Sequence, residues 1–369
     1  MTVRDLLLVL SALVLTAGCA VTDASARGHA STSYVDEGPA STLRLGYFAN
    51  VTHAGPVYGV ATGTYAGALG DTDLETQVFG AGPAAVEALF AGSVDAAYLG
   101  PGPAVNGFVR SGGEALRIVA GATSGGAALV VDEAITSPAQ LEGEVVASPQ
   151  TGGTQDVALR TWLADQGFEV DEAGAGDVTI RAQENAQTLQ EFTAGRIAGA
   201  WVPEPWASRL VREGGGTVLV DEEDLWPGGR FTTTLLAVRT QYLREHPQTV
   251  RALLQGQIAA DEAIAADPAE AQRVVNAQLE QVTGKALEPA TVERAFANIE
   301  ITEDPLAATL RTTAEHAFAT GLVKEADLRG IYDLTLLREV LGHDVDDAGL
   351  GDSTAPTPAP TAAPTVQEG

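Results

Sequence analysis

Between Thr42 and Val238, short apolar runs alternate with stretches whose apolar residues recur at helical spacing. The runs at 42–47, 74–79, 94–99 and 116–122 read as strands. Residues 56–62 and 83–91 read as helices, the second opening on Pro83 and stopping at Gly92. The pattern then restarts. Strands are expected at 127–131, 144–147, 178–180, 197–202, 217–220 and 232–238, with helices at 154–166, 185–194 and 205–213. After Tyr242, Pro247, Pro268, Pro289 and Pro305 punctuate four amphipathic segments, and the last helix ends near Leu341. Strand–helix alternation of this kind builds mostly parallel sheets. Used twice, it predicts an α/β chain with two lobes and a cleft between them, closed by a helical C-terminal block. A length of 369 residues suits two cores better than one.

Ligands of such folds sit on the loops at strand ends. Five loops qualify here: Asn50, Thr52 and His53; Gly100 and Pro101; Ser124 and Gly125; Gln150, Thr151, Gly152, Thr154 and Gln155; and Glu204 with Trp206. In the fourth, an apolar run stops at Pro149 and a helical pattern begins near Thr154, which is placed to cap it. Free N–H groups at a helix start, next to glycines that let a ligand approach, make an anion site. Any one of these loops alone is an ordinary turn; five at corresponding strand ends point to binding. Glu204 lies between Pro203 and Pro205 and has two readings. Its carboxylate either faces the cleft, where it favours an amine-bearing ligand, or complements the dipole of the helix that follows. Trp201 and Trp206 are candidates for an apolar wall.

The chain carries 49 acidic against 21 basic residues, a net charge of -28, and its only lysines are Lys285 and Lys324. That balance excludes a nucleic-acid partner, which needs a basic footprint. It leaves room for a small anion held by local backbone donors. Catalysis has no support. There is no Gly-Lys-Ser/Thr phosphate loop, no His-Glu-x-x-His, no Gly-x-Ser-x-Gly and no Cys/His spacing for a metal, and His53 has no partnered nucleophile. No cofactor and no metal are expected.

The single cysteine, Cys19, follows an apolar stretch at 6–16 that is too short to span a bilayer. Leu15-Thr16-Ala17-Gly18-Cys19 resembles a bacterial lipoprotein signal, although Thr16 stands where leucine is usual. The resemblance implies a signal peptide over 1–18 and a lipidated Cys19 that tethers the protein outside the cytoplasm. Residues 19–41 read as a flexible tether, and 346–369 as a disordered tail that is rich in Pro and Thr.

Taken in order, Asn50-Val51-Thr52-His53-Ala54, Gly100-Pro101-Gly102-Pro103, Pro149 through Leu159 and Trp201-Val202-Pro203-Glu204-Pro205-Trp206 resemble one family. It is the nitrate/sulfonate/taurine (and bicarbonate) class of substrate-binding proteins of ABC importers, with the aliphatic-sulfonate branch most similar. The resemblance implies a type II periplasmic-binding-protein fold. Lobe 1 would span 42–131 and 231–345, lobe 2 would span 132–230, and 127–131 and 232–238 would be hinge strands. It also implies a monomer that captures a small anionic or zwitterionic ligand by lobe closure and delivers it to a membrane permease with its ATPase. An aliphatic sulfonate or taurine is favoured, with Glu204 pairing the taurine ammonium. Nitrate, bicarbonate, a pyrimidine-type heterocycle or a non-transport sensor role are the alternatives. Gly153 stands where Asn is common in that family's loop, which removes one side chain from the site.

Overall fold

The computed structural model describes residues 33–351 of the chain. The expected signal segment, Cys19 and the Pro/Thr stretch from Thr354 lie outside the described residues. The chain first lays down β1 (Thr42–Phe48), β2 (Asp73–Phe79), β3 (Ala96–Leu99) and β4 (Leu116–Gly125). It then crosses to a second sheet made of β5 (Ala127–Val131), β6 (Val145–Ser148), β7 (Thr179–Ala182), β8 (Gly199–Pro203) and β9 (Thr217–Asp221). It returns with β10 (Thr232–Arg239) and β11 (Ile299–Ile301). The first sheet has the order β11-β4-β10-β3-β1-β2 and the second the order β7-β6-β8-β5-β9.

Both sheets follow one plan. In the first, β2, β1 and β3 are parallel and β10 runs antiparallel beside β3. In the second, β7, β6 and β8 are parallel and β5 runs antiparallel beside β8. Residues 127–131 were expected in lobe 1, but β5 belongs to the second sheet, so the chain changes lobe at Gly125–Gly126 and not after Val131.

The helices of the first half are α1 (Ala54–Ala61), α2 (Thr64–Leu69), α3 (Gly82–Ala91) and α4 (Pro101–Arg110), all in the first lobe. The second lobe carries α5 (Thr154–Asp165), α6 (Asn185–Thr193) and α7 (Trp206–Arg212). The C-terminal block comprises α8 (Thr240–Glu245), α9 (Pro247–Ala266), α10 (Pro268–Thr283), α11 (Pro289–Ala297), α12 (Ala307–Ala319) and α13 (Thr335–Leu341). Prolines open α9, α10 and α11, where a missing N–H costs nothing.

Gly100–Pro103 was expected as a closing loop, but only Gly100 is loop, as Pro101 opens α4. Ser124 and Gly125 were likewise expected in a loop and instead end β4.

The second sheet shows why its strands read as continuous apolar runs. Side chains alternate across a strand, so Ala128 and Val130 of β5 pack with Leu189, Phe192 and Leu210 on one face. Leu129 and Val131 pack with Leu159, Trp162 and Leu163 on the other. The first lobe has one core, to which α9, α10, α12 and α13 add Leu253, Leu254, Val275, Leu310 and Leu336. The C-terminal block is therefore part of that lobe's packing.

Two terminal segments are more ordered than their composition implied. Residues 33–41 were expected to be a free tether, yet Val35 and Asp36 donate N–H bonds to the Arg244 carbonyl and Glu37 donates to that of Glu245. The tail was expected from 346, yet Leu350 is buried and Tyr332 bridges Gly351. Backbone hydrogen bonds to a distant helix are invisible in local composition.

Candidate functional site

The six parallel strands point their C-terminal ends at one cavity between the lobes. The residues following β1 (Asn50, Thr52, His53), β2 (Gly80–Pro83) and β3 (Gly100, Pro103) line it from the first lobe. Those following β6 (Pro149, Gln150, Gly153, Thr154, Gln155) and β7 (Asn185), with Pro203 at the end of β8, line it from the second. Phe48 and the start of β10, Thr233 and Thr234, complete the wall. The cavity is about 50 Å³, room for roughly three to five water-sized centres at 10–15 Å³ each. No charged side chain lines it.

Four helices begin at this cavity, α3 after Ala81, α4 after Gly100, α5 after Gly153 and α6 after Glu184, and none is capped by its own N-cap side chain; α4 keeps no free N–H, because Pro101 and Pro103 lack one and Thr154 Oγ1 accepts that of Gly102. Their dipoles all present positive ends there. Thr154 was expected to cap α5. It is instead the first helical residue, with Gly153 at the cap position. The first intrahelical bond is Val157 N–H to Gly153 O, so the N–H groups of Thr154, Gln155 and Asp156 precede it and have no carbonyl below them.

Local chemistry explains the shape of this loop. Gly153 N–H bonds the Gln150 carbonyl at 3.0 Å, a turn whose third residue, Gly152, has φ +72. That conformation favours glycine. Buried Asp156 braces the turn, accepting from Gly152 N–H at 2.9 Å, Ser148 Oγ at 2.9 Å and Arg160 Nε at 3.0 Å. Its charge is matched by Arg160 behind the loop.

Three side chains at the cavity, His53, Thr154 and Asn50, keep a donor free of other protein partners. His53 Nδ1 accepts the Phe48 N–H at 3.4 Å, which places the ring proton on Nε2, and the ring stacks on Phe48. Burial pushes its pKa down to about 3, so the imidazole is neutral. Thr154 Oγ1 accepts from Gly102 N–H at 3.4 Å, across the lobes, and its own O–H is left to donate. Asn50 Oδ1 accepts Trp206 Nε1 at 3.0 Å, leaving its Nδ2 donors. Thr234 and Thr123 hydroxyls both donate to the Thr52 carbonyl, at 2.9 and 2.7 Å, and fix the turn that carries Asn50 and His53.

Of the expected site residues, Asn50, Thr52, His53, Gly100, Gln150, Thr154 and Gln155 meet at this cavity. Pro101, Thr151 and Gly152 stand beside it without lining it. Ser124 and Gly125 line a separate surface cleft with Trp226, Arg230 and Asn298. The residues that sequence reasoning missed are Phe48, Gly80–Pro83, Asn185, Thr233 and Thr234, while Pro203 belongs to the loop expected from Val202 to Trp206. Asn185 was visible only as a helix start, and its proximity to Asn50 is a product of lobe docking.

Three expectations about the Trp201–Trp206 segment are corrected. Glu204 does not face the cavity. Its carboxylate is buried and accepts from Ser208 N–H at 3.0 Å, Ser208 Oγ at 2.9 Å and Asn298 Nδ2 at 2.7 Å. Burial raises its pKa, and these bonds oppose the rise. Trp201 is no cavity wall. It is fully buried, packs against Trp162 and donates Nε1 to Glu222 at 2.7 Å. Trp206 touches the site only through Asn50. Its ring lines an outer groove with Leu189, Leu279 and Leu287, under the Arg209 guanidinium. Side chains alternate along β8 and its turn, and the apolar core took the faces that a cleft would have needed.

Two α/β lobes of this plan, meeting at the carboxyl ends of their parallel strands, define a periplasmic-binding-protein fold. The chain belongs to the NMT1-like family, whose model matches residues 36–279. The nitrate-binding protein NrtA of Synechocystis PCC 6803 superposes with a TM-score of 0.69 at 18% identity, over 82% of this chain and 88% of that one. The alkanesulfonate-binding protein SsuA of Xanthomonas axonopodis pv. citri does so at 0.63 and 23%, over 78% and 95%. At such identities the likeness shows the fold. In sequence, the taurine-binding periplasmic protein of Escherichia coli (strain K12) is 28% identical over 56% of this chain and 62% of its own length. Binding proteins of Brucella are 27% identical over 49% of this chain, and the chain spans about half their length, 54%.

Proposed function

We propose that the chain is the solute-binding protein of an ABC importer, capturing a compact oxyanion-bearing solute between its lobes and handing it to a membrane permease with its ATPase. The observation that carries this reading is the cavity itself, where four helix starts converge, three of them (α3, α5 and α6) with free N–H groups, and no charged side chain lines the wall. Backbone N–H groups, the Thr154 hydroxyl, the Asn50 amide and a neutral His53 can together replace an oxyanion's hydration shell. Neutral, fixed donors suit reversible capture, because the ligand's charge is spread over many bonds of modest strength. Family membership and the nitrate-, taurine- and sulfonate-binding relatives support the same class. No group here is arranged as nucleophile and base, and we assign no catalysis.

Within that class, the aliphatic sulfonate or taurine favoured from the sequence keeps its oxyanion partners but loses Glu204 as an ammonium partner. The lobes are proposed to close on the solute as a monomer, hinged where the chain crosses at Gly125–Gly126 and again between Asp221 and Thr232. The anchor rests on Leu15–Cys19: a lipidated Cys19 would hold the protein outside the cytoplasm. Fatty-acid labelling that disappears in Cys19→Ala tests the anchor. Calorimetry of the purified chain, freed of bound solute by unfolding and refolding, against nitrate, bicarbonate, taurine and propane-1-sulfonate tests the site. Failure of all four to bind overturns the oxyanion reading.

A further inference from the structure

We propose that Trp206 positions the Asn50 amide from the opposite lobe, so that on closure this wall of the cavity donates to an acceptor oxygen of the solute. The proposal rests on the cavity being the solute site. Asn50 follows β1 of the first lobe and Trp206 opens α7 of the second, so the 3.0 Å bond from Trp206 Nε1 to Asn50 Oδ1 crosses between the lobes. An indole N–H only donates, so the atom facing it is the amide oxygen and not the nitrogen. Asn50 Nδ2 meets no protein acceptor, yet it is not shut off from solvent. Asn50 is only 8% exposed and lines the cavity, not the outer groove behind Trp206, so Nδ2 is reached from the cavity.

The two partners are held by unequal means. The Asn50 backbone is fixed within the first lobe. Its carbonyl accepts His53 N–H at 3.1 Å, and the Thr52 carbonyl takes the Thr123 and Thr234 hydroxyls. The Asn50 amide, by contrast, has Trp206 as its one protein partner among the described residues, and without it either end can turn to the cleft. The indole is set firmly in the second lobe. Its ring is half-buried beside Leu189, with the Arg209 guanidinium 4.6 Å from the ring centroid. Arg209 is itself paired with Glu213 at 2.6 Å. A fixed donor in one lobe therefore dictates the sense of a rotatable amide in the other. When the lobes part, the bond is broken and Asn50 offers oxygen or N–H alike. When they meet, only the N–H end is left free, and a solute with a donor at this wall would face another donor. The preference for an acceptor oxygen here arises at the moment of closure.

The test is calorimetry of the full chain, freed of bound solute, against nitrate, bicarbonate, taurine and propane-1-sulfonate, read on those that the wild type binds. Trp206→Phe keeps a ring under Arg209 and deletes the N–H. It should bind the same solutes about three- to tenfold more weakly, through loss of one neutral hydrogen bond made on closure. Asn50→Ala should weaken binding at least as much. Adding Trp206→Phe to it should change affinity by no more than about twofold, because the indole then has no amide to orient. A merely structural tryptophan would lower affinity by the same factor in both backgrounds, and that additive result overturns the proposal. So does wild-type affinity in Trp206→Phe. Should the phenylalanine variant fail to fold, Asn50→Asp decides, because it keeps an acceptor for the indole and removes the N–H groups. It should bind at least about tenfold more weakly, and wild-type affinity there would mean that Asn50 does not donate to the solute. In each of these failures the wild type still binds, and the oxyanion site stands. If none of the four binds to the wild type, the site reading falls and this proposal with it.

Discussion

The Glu204 carboxylate and the Asn298 side-chain amide meet at 2.7 Å between the lobes, with Ser208 donating twice to the same carboxylate. Asn298 immediately precedes β11 of the first sheet and Glu204 follows β8 of the second, so this half-buried bond ties lobe to lobe. The carboxylate needs three donors. In Glu204→Gln one of them faces an N–H group instead, which should lower stability by about 1–3 kcal/mol. Thermal unfolding measures it, and an unchanged melting temperature would refute the tie. The ratio of taurine to propane-1-sulfonate affinity should be unaffected, because Glu204 is not at the cavity.

Gly100 approaches Thr154 from the opposite lobe so closely that an added Cβ would stand 2.2 Å from Thr154 Oγ1. Gly100→Ala should therefore hold the lobes apart. Solute affinity should fall at least about tenfold, equivalent to 1.4 kcal/mol, with little change in melting temperature. Combining it with Thr154→Ala removes the clashing hydroxyl and should recover part of the loss despite the missing donor. Calorimetry of the single and double variants decides, and an affinity equal to wild type in Gly100→Ala contradicts the close approach.

Glu222 is fully buried beside Trp201, and burial pushes its pKa up to about 7. The folded chain binds a proton here that the unfolded chain has released above the ordinary value of 4.5. This group's stability contribution is therefore full below that value and is lost as pH rises through 7, at up to about 1.4 kcal/mol per pH unit. Glu222→Gln should melt at nearly the wild-type temperature at pH 4.5 and higher than wild type at pH 8. A variant less stable than wild type at pH 8 would refute this.

His53 has the opposite sign. Its folded pKa of about 3 lies below the ordinary 6.5, so the stability it contributes is present above 6.5 and lost as pH falls towards 3. As the ring is already neutral, affinity for taurine should vary less than about twofold between pH 5.5 and 8. A rise in affinity as pH falls through 6.5 would mean that the imidazolium form binds the solute.

Much of the architecture is legible in local sequence patterns. The strand at 74–79, the helix stop at Gly92, the helix from Thr154 and the proline-opened helices each rest on a local pattern. Seven of the expected site residues converge because strand ends with glycine, hydroxyl and amide groups share one edge of each sheet. Other features resisted reading. Ser124 and Gly125 look like a loop, but β11 pairs alongside them more than 170 residues later, and Phe231 and Thr233 take up the Gly125 N–H and carbonyl. Trp201 and Glu204 look like cavity residues, but Glu222, Ser208 and Asn298 hold their polar atoms elsewhere.

By itself the sequence determined the alternation of strands and helices, the two-lobed plan and the edge of each sheet that bears the cavity loops. Those follow from side-chain periodicity and turn chemistry, which act over a few residues. Only the tertiary structure decided which side chains reach the cavity: it turned Glu204 and Trp201 away, set Trp206 behind Asn50 and brought Asn185 to the site without a partner. That choice depends on contacts between segments far apart in the chain. Burial and hydrogen-bond satisfaction are settled there by the competition of whole lobes for the same polar atoms.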